Sequence, residues 1–246
     1  MLRVVRVRAT RRVDTRRLTD IQLAKNCLDV GLYTNRADEL RAFYATEVGL
    51  PYEELLKAGG GVHQHRYGLN GGVLKINSAR ALLSAEPTAF ARLVVAAPHV
   101  TETLVVTDPD GTLLQLVPAG TDGVSGIAVE WRSSDPQRLA SLLVDGLDGV
   151  AEGDGRVRVG TTLIMCREAA SSVDGQLFAV GFRYLTVQVR DVRAEHARLL
   201  QLGWVEARPP VRLGDVAFIS FVKAPDGGWL EVSQRASLTG PLPHDA

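Results

Sequence analysis

Apolar and polar residues alternate in short segments along most of this chain, with turn-forming residues between the segments. The segment "CLDVGLYT" at 27–34 has the alternation of a half-buried strand. The next segment, "NRADELRAFYATEVG" at 35–49, has apolar residues at helical spacing: Leu40, Phe43, Tyr44 and Val48. We therefore predict a strand followed by a helix that begins with Asn35 as its N-cap and ends at Gly49.

The segment "GGGVHQHRYGLNGGVLKINSAR" at 59–80 predicts two strands that form a hairpin. Its centre is Asn70-Gly71, a dipeptide that suits the positive φ angles of a two-residue hairpin turn. The order of elements up to this point is strand, helix, strand, strand.

The same order of elements is predicted twice more. A strand, a Ser-Asp-Pro helix start and a hairpin are predicted over 126–168, and the helix has an apolar stripe at Leu139, Leu142 and Leu143. A strand, a helix, a glycine stop and an antiparallel pair are predicted over 182–234. Residues 89–118 differ, because they contain strand patterns with too little chain between them for a full helix.

Two of the predicted hairpins match each other without a gap. In "VVTDPDGTLLQLV" and "FVKAPDGGWLEVS", Asp110 aligns with Asp226 and Gln115 aligns with Glu231. A repeated supersecondary unit is the expected trace of internal duplication. We therefore divide the chain into two similar domains at 26–118 and 122–236, and "VPAGTDG" supplies the linker between them.

Glu231 lies in an unusual place for a carboxylate. A strand is predicted directly after the turn at Pro225, Asp226 and Gly227, and alternation puts Glu231 on one face of it with Trp229. Burying an unpaired charge is costly, so either this face is wet or Glu231 has a partner. The partner would be a metal ion, a bound ligand or a salt bridge, for example to Arg183 or Arg190.

Composition narrows the class of protein. The 246 residues carry 28 basic and 28 acidic side chains, so no global basic field favours nucleic acid or an anionic membrane as a partner. No apolar run is long enough to cross a bilayer. Cys27 and Cys166 are far apart in sequence and predict free buried thiols in a cytoplasmic protein. Residues 1–25 predict a basic N-terminal tail, and 237–246 a C-terminal tail.

The histidines give one candidate pair. His63 and His65 are two residues apart on a predicted strand, so they share a face and could chelate an ion or contact a ligand. A solvent-facing pair on a hairpin is the alternative. His196 lies among charged residues on a predicted helix, and we interpret it as a surface residue.

The strand–helix units "LDVGLYTNRADELRAFYATEVGLP" and "YLTVQVRDVRAEHARLLQLG", together with "PDGGWLEVSQ", resemble the vicinal oxygen chelate superfamily. This superfamily contains glyoxalase I, the bleomycin-resistance proteins and the extradiol dioxygenases. The resemblance implies an α+β fold, in which repeated βαβββ units form two half-open curved sheets. It also implies that the second unit of the first domain is shortened.

The resemblance implies a metal-binding role for Glu231, which occupies the family's glutamate position on the closing strand. Asp29 and Tyr184 occupy positions where the family usually has a histidine or glutamine ligand. Gln115 replaces the glutamate of the second unit, and Lys75 lies near the corresponding position of the first. The standard positions of either half therefore do not supply a complete ligand set.

Two functions follow as expectations. The first is a metal-dependent lyase or ring-cleaving dioxygenase that uses Fe, Mn, Ni or Zn and acts on a small organic molecule. Glu231 and Tyr184 are its candidate catalytic residues. The candidate metal ligands are Glu231, His65, Gln115 and Asp29, and the candidate substrate-pocket residues are Trp229, His63 and Lys75. The second is a non-catalytic protein that binds a drug or metabolite and has an incomplete metal site. Edge strands of such open sheets also favour a homodimer.

Overall fold

The structure, a computed structural model, describes residues 21–243. The elements in chain order are β1 (Asp29–Thr34), α1 (Ala37–Thr46), β2 (Tyr52–Gly59), β3 (Val62–Leu69), β4 (Gly72–Ala79), β5 (Phe90–Ala96), β6 (Leu104–Thr107), β7 (Leu113–Val117), β8 (Ile127–Ser133), α2 (Pro136–Leu147), β9 (Val150–Gly153), β10 (Arg156–Val159), β11 (Thr162–Glu168), β12 (Gly181–Gln188), α3 (Val192–Gln201), β13 (Val205–Leu213), β14 (Ala217–Lys223), β15 (Trp229–Arg235) and α4 (Ala236–Thr239). A 3₁₀ turn at Thr121–Gly123 precedes β8.

The strands form two curved sheets. The first has eight strands in the order β13-β14-β15-β12-β1-β4-β3-β2, and the second has seven in the order β6-β7-β5-β8-β11-β10-β9. These are the two curved sheets of the predicted α+β fold.

Both predicted halves of the chain contribute strands to both sheets. The eight-stranded sheet takes its strands from the first and last units, and the seven-stranded sheet takes them from the two middle units. The predicted boundary between residues 118 and 122 therefore does not divide one sheet from the other. The division of the chain into two domains stays a prediction. The consequence for the site is direct: side chains from opposite ends of the sequence share one sheet.

The centre of the eight-stranded sheet has an approximate two-fold arrangement. Strands β1 and β12 run antiparallel, with Asp29 opposite Thr186 and Gly31 opposite Tyr184. Each also pairs in parallel with the closing strand of its own unit, so that Gly31 lies beside Lys75 and Thr186 beside Glu231. Lys75 and Glu231 therefore occupy equivalent positions on the two sides of the sheet centre.

The segment at 89–118 is shortened as predicted. It forms β5, β6 and β7 without a helix, and β5 pairs in parallel with β7. The turn before β7 is built around Asp108, whose Oδ1 accepts hydrogen bonds from the N–H groups of Asp110 and Thr112 at 2.9 and 2.8 Å. The Tyr44 hydroxyl of α1 donates to its Oδ2 at 3.0 Å. This turn is thereby fixed to the first unit.

The hairpin and one of the two predicted helix starts are confirmed. Asn70 and Gly71 have φ angles of 48° and 90°, as the predicted turn requires. Asp135 caps α2 by accepting from Arg138 N at 2.9 Å, and Pro136 is the first helical residue. Leu139, Leu142 and Leu143 are buried, and both cysteines are free and buried. Three edge strands, β2, β9 and β13, were not predicted, because none of them contrasts a buried with an exposed face.

The predicted N-cap of α1 is wrong by one residue. Arg36 occupies the cap position, and α1 ends at Thr46, before Gly49. The Asn35 amide instead donates to the carbonyls of Ala79 and Ala81 at 2.9 and 2.8 Å. The local sequence assigned the Asn35 side chain to the helix cap. In the structure this side chain instead binds the end of β4 and the chain that follows it.

The terminal segments are only partly within the described residues. Residues 1–20 of the predicted basic tail lie outside them, and residues 21–25 pack on the fold. Ala24 N donates to Gln188 O at 2.8 Å, and Leu23 forms a bridge with Val189. At the other end, α4 follows β15 directly, and residues 244–246 lie outside the described part. No helix within 21–243 is long and apolar enough to cross a bilayer.

Candidate functional site

One face of the eight-stranded sheet borders two adjoining cavities of about 420 and 330 Å³, which share Gln64, Ile219 and Glu231 in their linings. We call this space the cleft. Alternation along the central strands places a polar set on the face of the sheet that borders it. The set is Asp29, Tyr33, Gln64, Arg66, Lys75, Asn77, Tyr184, Thr186, Gln188, Trp229, Glu231 and Ser233. The opposite face of the same strands is apolar and belongs to the core.

An ion pair lies at the centre of the cleft. The Lys75 Nζ atom is 2.7 Å from Glu231 Oε2, although only 3% and 7% of these residues are exposed. Thr186 Oγ1 lies 2.7 Å from both groups. The carboxylate at position 231 therefore has a protein partner, which is Lys75 and neither of the arginines considered from the sequence. Arg183 instead donates to the backbone carbonyls of Glu86 and Gln176.

Asp29 is the second carboxylate of this network. Its Oδ2 lies 3.9 Å from Lys75 Nζ, and its Oδ1 lies 2.9 Å from Lys25 Nζ. Gln188 Nε2 and Val73 N also donate to it, at 2.9 and 3.0 Å. Burial by itself would raise the pKa of Asp29, but Lys75 and Lys25 outweigh it and hold the pKa below its ordinary value.

Lys75 is therefore an ammonium group between two buried carboxylates. Burial lowers the pKa of Lys75, and Glu231 and Asp29 oppose this by favouring the charged form. A buried ion pair of this kind balances a large desolvation cost against its Coulomb attraction. Removing one charge leaves the others without compensation.

The pH dependence of stability tests the ionisation of Asp29. Because the folded-state pKa is lowered, the stabilisation is present above the ordinary pKa of about 3.9 and is lost as the pH falls through the folded value. We expect the free energy of unfolding of the wild type to fall more steeply below about pH 4 than that of Asp29→Asn. Urea unfolding at a series of pH values measures this difference. Parallel curves for the two proteins would contradict it.

One end of the cleft is aromatic. The Tyr184 ring lies 5.7 Å from that of Phe221 and 6.1 Å from that of Tyr33, and Lys75 Nζ lies 5.6 Å from its centre. Trp229 packs on Phe221 at 6.1 Å. Gly31 leaves room for the Tyr184 ring, because a Cβ atom there would overlap it. This end can contact a flat apolar group.

Tyr184 is a neutral phenol in this setting. Burial, and then the charge of Glu231, raise the pKa of Tyr184 well above its ordinary value. Its hydroxyl oxygen accepts a hydrogen bond from Asn77 Nδ2 at 3.0 Å. The hydroxyl can therefore donate a proton in a hydrogen bond to a ligand, whereas a phenolate that removes protons is disfavoured.

The structure brings together some of the predicted site residues and separates others. Glu231, Lys75, Asp29, Tyr184 and Trp229 lie on the cleft face of one sheet. Three further residues of this face had no motif to identify them: Arg66, Asn77 and Thr186. Asn77 and Thr186 lie two positions from Lys75 and Tyr184 on the same strands, and this spacing was the available signal. Arg66 is adjacent to His65, so the predicted histidines pointed to the wrong face of its strand.

The remaining predicted residues lie elsewhere. His65 pairs with Ile76, a core residue, and so faces away from Glu231, as does His63 two residues before it. Gln115 belongs to the seven-stranded sheet, and its Oε1 accepts from Arg92 at 2.9 Å. A one-residue difference in strand register is enough to move a side chain to the other face.

The interpretation of His196 as a surface residue is wrong. Only 4% of it is exposed, because α3 packs this side chain onto β14. Its Nδ1 lies 2.9 Å from Ser220 Oγ and its Nε2 lies 3.0 Å from Glu206 Oε2. Ser220 is fully buried and its hydroxyl contacts His196 on α3, so this Ser-His-Glu arrangement holds the helix against the sheet.

The donor set of the cleft does not fit a divalent cation. Within residues 21–243, no three His, Cys, Asp or Glu side chains lie together in a way that could hold a metal ion. The two carboxylates of the cleft already bind the Lys75 ammonium, which repels a second cation at the same place.

Comparisons with known proteins identify the fold. No family model matches the chain, and no curated protein matches it significantly. Glyoxalase I from Zea mays superposes with a TM-score of 0.65 at 12% identity, over 85% of this chain and 92% of that one. A "putative dioxygenase" from Bacillus subtilis gives 0.60 at 15% identity, over 88% and 86%. The CppA protein from Streptococcus pneumoniae gives 0.51 at 12% identity, over 87% and 98%.

The chain therefore has the vicinal oxygen chelate fold, as the resemblance of its sequence predicted. In particular, it has the paired curved sheets of the glyoxalase and dioxygenase structures. At these identities the likeness establishes the fold, and the activity has to be argued from the cleft itself.

Proposed function

We propose that this protein binds a small organic molecule in the cleft of the eight-stranded sheet and does so without a metal ion. The observation that carries the proposal is the Lys75–Glu231 ion pair at the cleft centre, with a 2.7 Å contact. The ammonium group lies between two carboxylates, where a divalent cation would otherwise bind. The Lys75 ammonium therefore supplies the positive charge that a metal ion would otherwise bring.

The chemistry of the cleft also supports binding. Apolar side chains such as Ile219 and Phe221 face it beside a small number of fixed polar groups, a composition typical of small-molecule sites. Glu231 holds the Lys75 ammonium in place, and the Tyr184 hydroxyl is available to donate. Asn77, through its amide, fixes the position of that hydroxyl.

Ligand-observed NMR with a neutral flat probe, 2-naphthamide, tests the proposal on the full chain. We expect binding that is unchanged after dialysis against EDTA. Ile219→Trp fills the cleft and is expected to abolish binding. His63→Trp adds the same side chain to an exposed position on the opposite face of the sheet and is expected to have no effect. The proposal fails if neither this amide nor the carboxylate of the same shape, 2-naphthoate, binds, or if binding requires a metal ion.

A metal-dependent lyase or ring-cleaving dioxygenase is the second candidate function. The position of Glu231 on the cleft wall favours it, as does the fold shared with glyoxalase I. In such an enzyme Glu231 and Asp29 would be the metal ligands and Tyr184 a proton donor. The donor set of the cleft argues against it, since Glu231 is paired with Lys75 and Asp29 with Lys25.

Elemental analysis of the purified protein separates the two candidates. Under the metal-free proposal, iron, manganese, nickel and zinc are each expected well below one equivalent per chain, in the wild type and in Glu231→Ala alike. A stoichiometric metal that disappears in Glu231→Ala would instead establish the second candidate.

A further inference from the structure

Two arginines share one glutamate at the end of the cleft opposite the aromatic residues. Arg66 Nε lies 3.1 Å from Glu54 Oε1, and Arg235 donates to the same oxygen at 3.3 Å. The two arginine side chains are only 6% and 13% exposed, whereas the Glu54 side chain is 45% exposed. Glu54 belongs to the edge strand β2. A partly exposed carboxylate is thus the shared counterion of two largely buried guanidinium groups.

The charges around this pair do not balance locally. Lys75 is paired with Glu231, and Lys25 with Asp29. The two cavities that these arginines line carry five basic side chains (Lys25, Lys57, Arg66, Lys75 and Arg235) and four acidic ones (Asp29, Glu53, Glu54 and Glu231), which leaves one positive charge in excess. Burial lowers the pKa of Arg66, and the neighbouring Arg235 lowers it further. Asp29, Glu54 and Glu231 raise the pKa of Arg66 and offset these two effects only in part. With one carboxylate shared between two guanidinium groups, a second anion would be favoured here.

The arginine pair is reachable from open space. Arg66 and Arg235 line the 420 Å³ cavity of the cleft, and they also line a cavity of about 620 Å³ at the end of the sheet. Gln188 lines the larger cavity, and its buried Oε1 has no hydrogen-bond partner within the described residues. This polar atom could accept a hydrogen bond from a ligand.

We propose that the ligand of the cleft is a small organic carboxylate, whose carboxylate group displaces Glu54 and binds to Arg66 and Arg235. The planar fork of a guanidinium matches a carboxylate, and two forks facing one anion give high selectivity for it. The apolar body of the ligand would extend past Ile219 toward Tyr184 and Phe221. This inference rests on the proposed function, because it names the class of molecule that the cleft binds.

The test compares two probes of the same shape, 2-naphthoate and its neutral amide 2-naphthamide, by NMR titration of the full chain. We expect the wild type to bind the carboxylate about tenfold or more tightly than the amide. Arg235→Gln is expected to reduce this ratio to near one. Glu54→Gln is expected to strengthen carboxylate binding, because it removes the competing anion, and to leave amide binding unchanged.

A matched control removes one arginine charge elsewhere. Arg132→Gln breaks a similar ion pair with Glu130 on the other sheet, and it is expected to change binding of neither probe. Because Glu54 is exposed, Glu54→Gln is expected to fold. This variant therefore tests the inference even if Arg235→Gln does not fold. Equal affinities for the two probes, or weaker carboxylate binding in Glu54→Gln, would overturn this inference and leave the proposed function intact. If neither probe binds, both fail.

Discussion

Lys75→Met is expected to lower the free energy of unfolding by about 3–5 kcal/mol at neutral pH. The substitution removes the cation between Glu231 and Asp29, two buried carboxylates. Among residues 21–243, Glu231 then keeps only the hydroxyl of Thr186 as a hydrogen-bond partner, and it bears an uncompensated buried charge. Urea unfolding followed by circular dichroism measures the change.

The same substitution at an exposed ion pair provides the control. Lys223 binds Asp174, whose side chain is 53% exposed, and Lys223→Met is expected to cost about 1 kcal/mol or less. A double variant, Lys75→Met with Glu231→Leu, is expected to recover much of the lost stability because it removes both buried charges. If Lys75→Met costs no more than Lys223→Met, Lys75 and Glu231 are not a buried pair.

Gly227→Ala is expected to destabilise the protein by about 2–5 kcal/mol and to weaken ligand binding. Gly227 has a φ of 116°, and a Cβ atom on it would overlap the carbonyl oxygen of Val173. The alanine therefore adds a steric clash with backbone to the cost of the left-handed conformation. The turn directly precedes β15, so its displacement also moves Trp229 and Glu231. Denaturant unfolding and NMR titration with 2-naphthamide measure both effects.

The repeated turn of the other sheet offers a matched position. Gly111 aligns with Gly227 and also has a positive φ, of 89°, but a Cβ atom on it would meet nothing within 4 Å. Gly111→Ala is expected to cost about 1–2 kcal/mol, which is the cost of the backbone conformation alone. Equal losses for the two variants would show that the contact between Gly227 and Val173 does not constrain the turn.

The two matching hairpin sequences carry side chains with different partners. The turns at Asp110 and Asp226 start equivalent strands, yet Gln115 pairs with Arg92 on one sheet and Glu231 pairs with Lys75 on the other. The face of the seven-stranded sheet that carries Gln115 also has an apolar cluster with Val94 and Ala128. The polar cleft is therefore a property of the eight-stranded sheet.

The sequence by itself determined the fold and most of its elements, apart from the edge strands β2, β9 and β13. Local patterns were sufficient for the Asn70-Gly71 hairpin and the Asp135 helix cap, because turn and cap preferences depend on a few adjacent residues. Alternation along the last strand placed Glu231 and Trp229 on one face. The resemblance to the superfamily then predicted the curved sheets.

Only the tertiary structure decided which residues form the site. The sheet joins the first and last units, so Lys75 reaches Glu231 across 156 positions of sequence, a contact that no local pattern encodes. Strand register turned His65 toward the core side and Arg66 toward the cleft. The partner of a buried charge depends on which strands lie side by side, and the long-range packing of the whole chain sets that arrangement.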